Sequence, residues 1–206
     1  MLEADEQHPD GTFVEDTAVV AARVAVATRP GAPTRAGEVG AVATALRQIR
    51  PELETMAAPG TLDGGDVCQV EEHFLIGVSQ RTNEAGAKQL AAILARHGYS
   101  SSLIDIRDHK TLLHLKSGIA YLGERRFTVS ADAAGLGIPE GYESIVVEER
   151  EAYAANCVRV NDSVLLAAGY PRLAARLDDL GYTVRPLEVS EFQKMDGGLS
   201  CLSIRF

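Results

Sequence analysis

The chain has 206 residues, 46% hydrophobic and 24% charged, with a formal net charge of −9. That length buries a sizeable core in one large domain or two small ones. The acidic balance argues against a nucleic-acid surface and an anionic membrane partner, and leaves room for a cationic small substrate.

In chain order, the elements recur as one unit. Thr17 to Thr28 reads as two short strands around a tight turn, followed by a Pro/Gly breaker, an amphipathic helix near Arg35 to Ile49 and a short strand after Pro51. Asp66 to Val70 and His73 to Gly77 are the next pair, Asn83 caps a helix running to about His97, and Ser102 to Asp105 is a strand. Gly118 to Leu122 and Arg126 to Val129 begin a third copy. Asn156 to Val160 and Ser163 to Ala167 begin a fourth, with a helix over Pro171 to Leu180 and a closing strand from Tyr182. Turns at Glu71-Glu72, Gly123-Glu124 and Asn161-Asp162 join the strand pairs. The units recur every 40–50 residues or so, within the range of repeat architectures. Repeating ββαβ units predict a ring with helices outside and strand ends meeting at a central site; an ordinary doubly wound sheet is the alternative. No linker or low-complexity stretch divides the chain, so residues 1–206 read as one domain.

Three cysteines, Cys68, Cys157 and Cys201, show no CxxC spacing and no disulfide framework. The N-terminal MLEADEQHPDG is acidic and polar, unlike a secretory leader, and no apolar run approaches the ~18 residues of a membrane span. A reducing, cytoplasmic compartment is the expectation.

Candidate chemistry falls at the strand ends. Cys201 follows the bend Gly197-Gly198, as a presented nucleophile would; its thiolate is the reactive form, so the expectation is a lowered pKa. Cys68 and Cys157 lie inside apolar strand patterns and read as small buried thiols. Asp10, Glu15 and Asp16 precede the first strand: either capping acids or the holders of a cationic group. Asp63 and Asp66 flank Gly64-Gly65, a turn that permits close backbone approach. His114 has apolar neighbours, which fits a satisfied core histidine or a base; His8, His73, His97 and His109 stand in polar contexts. Arg35 and Arg81 each follow the second strand of a unit. They suit bidentate capture of a carboxylate, or else surface ion pairs.

The words PDGTFVEDTAVV, TRPGAPTR, TLDGGDV, GVSQRTNEAGA, LHLKSG, AANC and MDGGLSCLS occur in order from residue 9 to the C-terminus. Together they resemble the dimethylarginine dimethylaminohydrolase family of the guanidino-group-modifying (amidinotransferase-like) superfamily. The resemblance implies a pentein fold, a five-bladed pseudo-symmetric α/β propeller of ββαβ repeats. About four of the five repeats fall in this chain, with most of the first absent at the N-terminus. It also implies roles. Cys201 attacks the guanidinium carbon of a methylated arginine. His114 protonates the departing amine and then activates water. Asp63 and Asp16 bind the guanidinium, with Glu15 supporting them, and Asp63 also orients His114. Asp10 meets the α-amino group and Arg35 with Arg81 the α-carboxylate. Ser117 lies near the histidine, and Met195 offers backbone contact. Citrulline forms through a covalent thiouronium, and no metal or organic cofactor is required because the substrate carbon is already electrophilic. The alternatives are an arginine deiminase or amidinotransferase of the same superfamily, and a shortened, catalytically impaired homologue. The sequence leaves open whether the chain forms a homodimer.

Overall fold

The computed structural model describes residues 5–206. Among them, twelve strands form four separate three-stranded sheets. The units are β1 (Ala18–Ala21), β2 (Val24–Ala27) and β3 (Glu54–Thr55); β4 (Val67–Val70), β5 (His73–Val78) and β6 (Ser100–Asp105); β7 (Ile119–Tyr121), β8 (Arg126–Ser130) and β9 (Glu143–Val147); and β10 (Val158–Val160), β11 (Ser163–Ala167) and β12 (Thr183–Leu187). In each, the first two strands form an antiparallel hairpin and the third joins the second in parallel. A parallel return needs a long crossover. Three units supply it as a helix: α1 (Val39–Ile49), α2 (Glu84–Arg96) and, after the short α3 (Leu115–Gly118), α4 (Pro171–Asp179). The fold is thus mixed α/β, built of the ββαβ unit read from the sequence, with the helix missing from the third unit's crossover.

Local chemistry accounts for the elements. The Asn83 side chain accepts from the Gly86 amide at 2.7 Å and so caps α2, whose buried face is Ala87, Leu90, Ile93 and Leu94 at helical spacing. Glu71 (φ 56°) and Asn161 (φ 54°) take left-handed backbone at two hairpin turns. The third unit differs from the repeat. Its β8–β9 crossover carries only a 3-10 turn, Ala131–Ala133, because Gly135, Gly137 and Pro139 follow and no helix propagates through them.

The apolar side chains pack between neighbouring units. Val19 and Val26 of the first unit meet Phe74, Ile76, Leu90 and Leu94 of the second. Leu75 meets Ile119, Phe127 and Val129 of the third. Leu122 and Ile145 meet Val164, Leu166 and Leu177 of the fourth. Each fully buried Leu, Ile or Phe contributes roughly 1.5–3 kcal/mol of transfer free energy, so adjacent units hold one another in register. The C-terminal segment spans the remaining gap: Leu199 packs on the fourth unit and Ile204 on the first.

The inner strands β1, β4, β7 and β10 with residues 203–205 line an axial cavity of about 230 Å³. Cys68 and Cys157 border it, buried as expected, and burial pushes both thiols up to about 11. Among the described residues no helix is long and apolar enough to cross a membrane.

Candidate active site

The site is assembled where loops precede the inner strands. Asp63 leads into a 3-10 turn, Gly64–Asp66, ahead of β4. A Cβ on Gly64 would fall 2.0 Å from the Glu15 carbonyl oxygen, and one on Gly65 would fall 2.7 Å from His114 Nδ1. The glycine pair therefore serves close approach, letting the imidazole and the Glu15 backbone press on this turn. Asp63 Oδ1 accepts from the Gly31 amide at 2.7 Å, and Oδ2 accepts from His114 Nε2 at 3.0 Å.

His114 caps α3. Its backbone N–H donates to Ser117 Oγ at 3.3 Å. Asp66, which sequence reading marks only as an acid flanking the glycines, accepts from the Leu115 amide at 2.9 Å and from Ser79 Oγ at 2.6 Å. It pins the first turn of α3 and so fixes His114. Burial alone lowers the pKa of His114, but the carboxylates of Asp16, Asp63 and Asp66 outweigh it and raise it to about 9. Asp63 is held below the usual carboxylate range: burial opposes this, and the His114 hydrogen bond and charge overcome it. Nε2 also lies 3.9 Å from Asp16 Oδ1, so the imidazolium faces two carboxylates at once.

Asp16, Asp63 and His114 each offer an atom within 4.8 Å of the others, which is spacing for a cation. Their donors already match: Asp16 accepts from Arg35 at 2.5 Å and from the Gly65 amide at 2.9 Å, and a protonated imidazole is no ligand. The set fits organic N–H donors better than a bare metal ion.

Arg35 departs from expectation. Its guanidinium is buried and engaged with Asp16, Glu38 and the carbonyls of Asp10 and Phe13. It braces Asp16 from behind and presents no free fork to a carboxylate. Arg35→Ala is expected to cost about 3–5 kcal/mol of stability, because Asp16 and Glu38 are left as buried unpaired charges. Urea denaturation checks this. Arg81, in contrast, is half-buried, and its guanidinium has no ion-pair partner among the described residues. Asp10 is half-buried in the 3-10 turn Pro9–Thr12.

Glu15 is buried and accepts from Lys116 Nζ at 2.6 Å, Ser200 Oγ at 2.7 Å and Arg205 at 3.4 Å. It ties α3 to the turn Ser200–Leu202 that carries Cys201. The Gly198 amide approaches Cys201 Sγ at 3.4 Å. The expectation of a lowered thiol pKa is corrected here. Burial and the nearby negative charge of Glu15 and Asp16 push Cys201 up to about 11, against the smaller opposing effects of the Gly198 N–H and Lys116. A pKa raised this far favours the protonated thiol at neutral pH. Asn156, quoted within AANC but given no role in the sequence reading, is buried beside the same turn.

Two spaces flank the centre. The axial cavity reaches Glu15, Lys116 and Ser200. A groove of about 1180 Å³ is lined by Ser117, Leu113, Tyr153, Gln193 and Asp196. Met195 is exposed next to that groove.

An arginine deiminase family model matches residues 48–142. Over the whole chain, a dimethylarginine dimethylaminohydrolase of Pseudomonas aeruginosa is 41% identical, with 80% of its own length covered. One from Streptomyces coelicolor is 34% identical across 99% of this chain and 78% of its own. The solved structure of the P. aeruginosa enzyme, a variant complexed with citrulline, superposes with a TM-score of 0.94 at 40% identity over 98% of this chain and 78% of that one. The N-terminal domain of ArgZ, at 22% identity and a TM-score of 0.87, shares the fold. Fold and likeness define the class: a pentein, of the guanidino-group-modifying superfamily. Within it, the chain belongs to the dimethylarginine dimethylaminohydrolase family.

Proposed function

We propose that the protein hydrolyses Nω-methylated arginine to citrulline and methylamine or dimethylamine. The observation that carries this reading is the pair of carboxylates, Asp16 and Asp63, converging on His114 Nε2, with a thiol close by whose ionisation burial and the charges of Glu15 and Asp16 oppose. A guanidinium bound to Asp16 and Asp63 offsets the Asp16 part of that suppression and adds positive charge near Sγ, which favours the thiolate.

The Cys201 thiol gives up its proton to solvent as the substrate binds, and the resulting thiolate adds to the guanidinium carbon. The carbon–nitrogen bond to the methylated nitrogen breaks as that nitrogen takes the His114 proton, leaving a thiouronium on Cys201. Water then adds to the same carbon as neutral His114 removes its proton, and the carbon–sulfur bond breaks to release citrulline. Asp63 holds the imidazole orientation through both steps. Arg81 binds the α-carboxylate, Asp10 meets the α-amino group, and the Met195 backbone closes on the substrate. Ser117 holds the His114 backbone. The role of Arg35 is to keep Asp16 aimed.

Arginine deimination is the second reading, favoured by the family model over residues 48–142. Incubation with asymmetric dimethylarginine and, separately, with arginine separates them. Citrulline release from the methylated substrate is expected to exceed that from arginine by about tenfold or more in kcat/KM. The reverse order supports the deiminase reading, and no citrulline from either contradicts both.

A further inference from the structure

Asn156 stands just ahead of β10, remote in sequence from Cys201 and from His114, and buried. Its Oδ1 accepts from the Ser200 amide at 2.9 Å. Its Nδ2 donates to Ser200 Oγ at 3.0 Å and to the Lys116 carbonyl at 2.8 Å. One side chain thus bonds the turn that carries Cys201 and the helix that His114 caps. Ser200 Oγ donates its own hydrogen bond to Glu15 Oε2 at 2.7 Å, which orients the hydroxyl to accept from Asn156. The turn also lies flush on the amide: a Cβ at Gly198 would fall 2.5 Å from Asn156 Oδ1. Every polar atom of this amide is therefore committed to setting one element against the other. Both donor and acceptor are needed, and only an amide of this length supplies both.

We infer that Asn156 is a positioning residue for catalysis: it fixes the Cys201 turn against α3, and so sets the nucleophile relative to the His114 proton donor, without contacting substrate. The inference rests on the hydrolase reading above for its rate prediction. Asp16, Asp63 and Arg81, which that reading assigns to the substrate, make no hydrogen bond to Asn156. Loss of the clamp leaves the substrate's binding groups in place and misaligns the reacting ones. A displacement of about 1 Å costs up to roughly 100-fold in rate.

The test uses Asn156→Ala and Asn156→Asp in the full chain, with Ser200→Ala as a second probe of the same bridge should either fail to fold. Asn156→Asp keeps the shape and the acceptor to the Ser200 amide but loses both Nδ2 donors. For dimethylarginine turnover, kcat is expected to fall at least about tenfold in both Asn156 variants while KM stays within about threefold. Ser200→Ala is expected to lower kcat in the same direction, again with KM unchanged. A folded variant with kcat within twofold or so of the parent overturns the inference, as does a KM that rises in step with the fall in kcat. A readout independent of turnover accompanies these: the pH midpoint for iodoacetamide alkylation of Cys201. It is expected to move down in Asn156→Ala, as the released turn carries the thiol toward water; Asn156→Asp is read by kcat and KM alone, since its new carboxylate itself opposes ionisation of the thiol. An unchanged midpoint in folded Asn156→Ala counts against the clamp. Should the parent itself not turn over methylarginine, the functional reading fails, and the alkylation midpoint alone decides the inference.

Discussion

Cys201→Ser is expected to lower citrulline formation from asymmetric dimethylarginine by at least about 1,000-fold, because a serine hydroxyl in this setting has no nearby base strong enough to ionise it. The surroundings favour that outcome. Burial and the charges of Glu15 and Asp16 already oppose ionisation of the thiol, and they oppose that of a hydroxyl, which is intrinsically far less acidic, in the same way. Citrulline affinity is expected to stay near that of the parent, since Asp16, Asp63 and Arg81 are untouched; titration calorimetry checks it beside a colorimetric citrulline assay. A variant retaining a tenth or so of parental kcat contradicts nucleophilic catalysis by Cys201.

His114→Asn is expected to act on two quantities. Turnover falls by about 100- to 10,000-fold, the range for loss of a general acid–base. Stability changes its pH dependence. The folded pKa of His114, about 9, lies above its ordinary 6.5, so the stabilisation it contributes is fully present below 6.5 and is lost as pH rises to 9. The amount is on the order of 3 kcal/mol. Urea midpoints of the parent should thus decline between pH 6.5 and 9, and the His114→Asn profile should lack that component. A parent profile flat across the window contradicts a charged His114 in the folded protein. The coupling follows from the site's build: the three acids that keep His114 protonated for the leaving amine also make its charge part of the folded state.

The architecture was legible because each unit carries paired apolar runs, a turn and an amphipathic helix, and because interleaved cores demand that pattern from every unit. The third crossover escaped it, since Gly135, Gly137 and Pro139 replace a helix with irregular chain that still returns β9 to β8. Of the site, Asp63 and His114 were legible from short words, and the structure joins them at 3.0 Å. Arg35 was misleading: its place after a second strand matches that of Arg81, yet sequence position does not say that Asp16 and Glu38 enclose it. The state of Cys201 was equally hidden. A Gly-Gly bend suggests presentation, whereas the pKa depends on burial and on acids some 185 residues earlier in the chain. Asp66 and Asn156 act through the backbone of neighbouring elements, and such contacts leave little trace in local sequence.

Catalysis by this route requires a covalent bond between Cys201 and the guanidinium carbon. Its most direct measurement is mass spectrometry of the protein acid-quenched during turnover of asymmetric dimethylarginine. The expected result is a thiouronium adduct on the peptide bearing Cys201, absent from Cys201→Ser and from Cys68 and Cys157. Citrulline accumulating while Cys201 stays unmodified at every quench time, or an adduct on another residue, would contradict it.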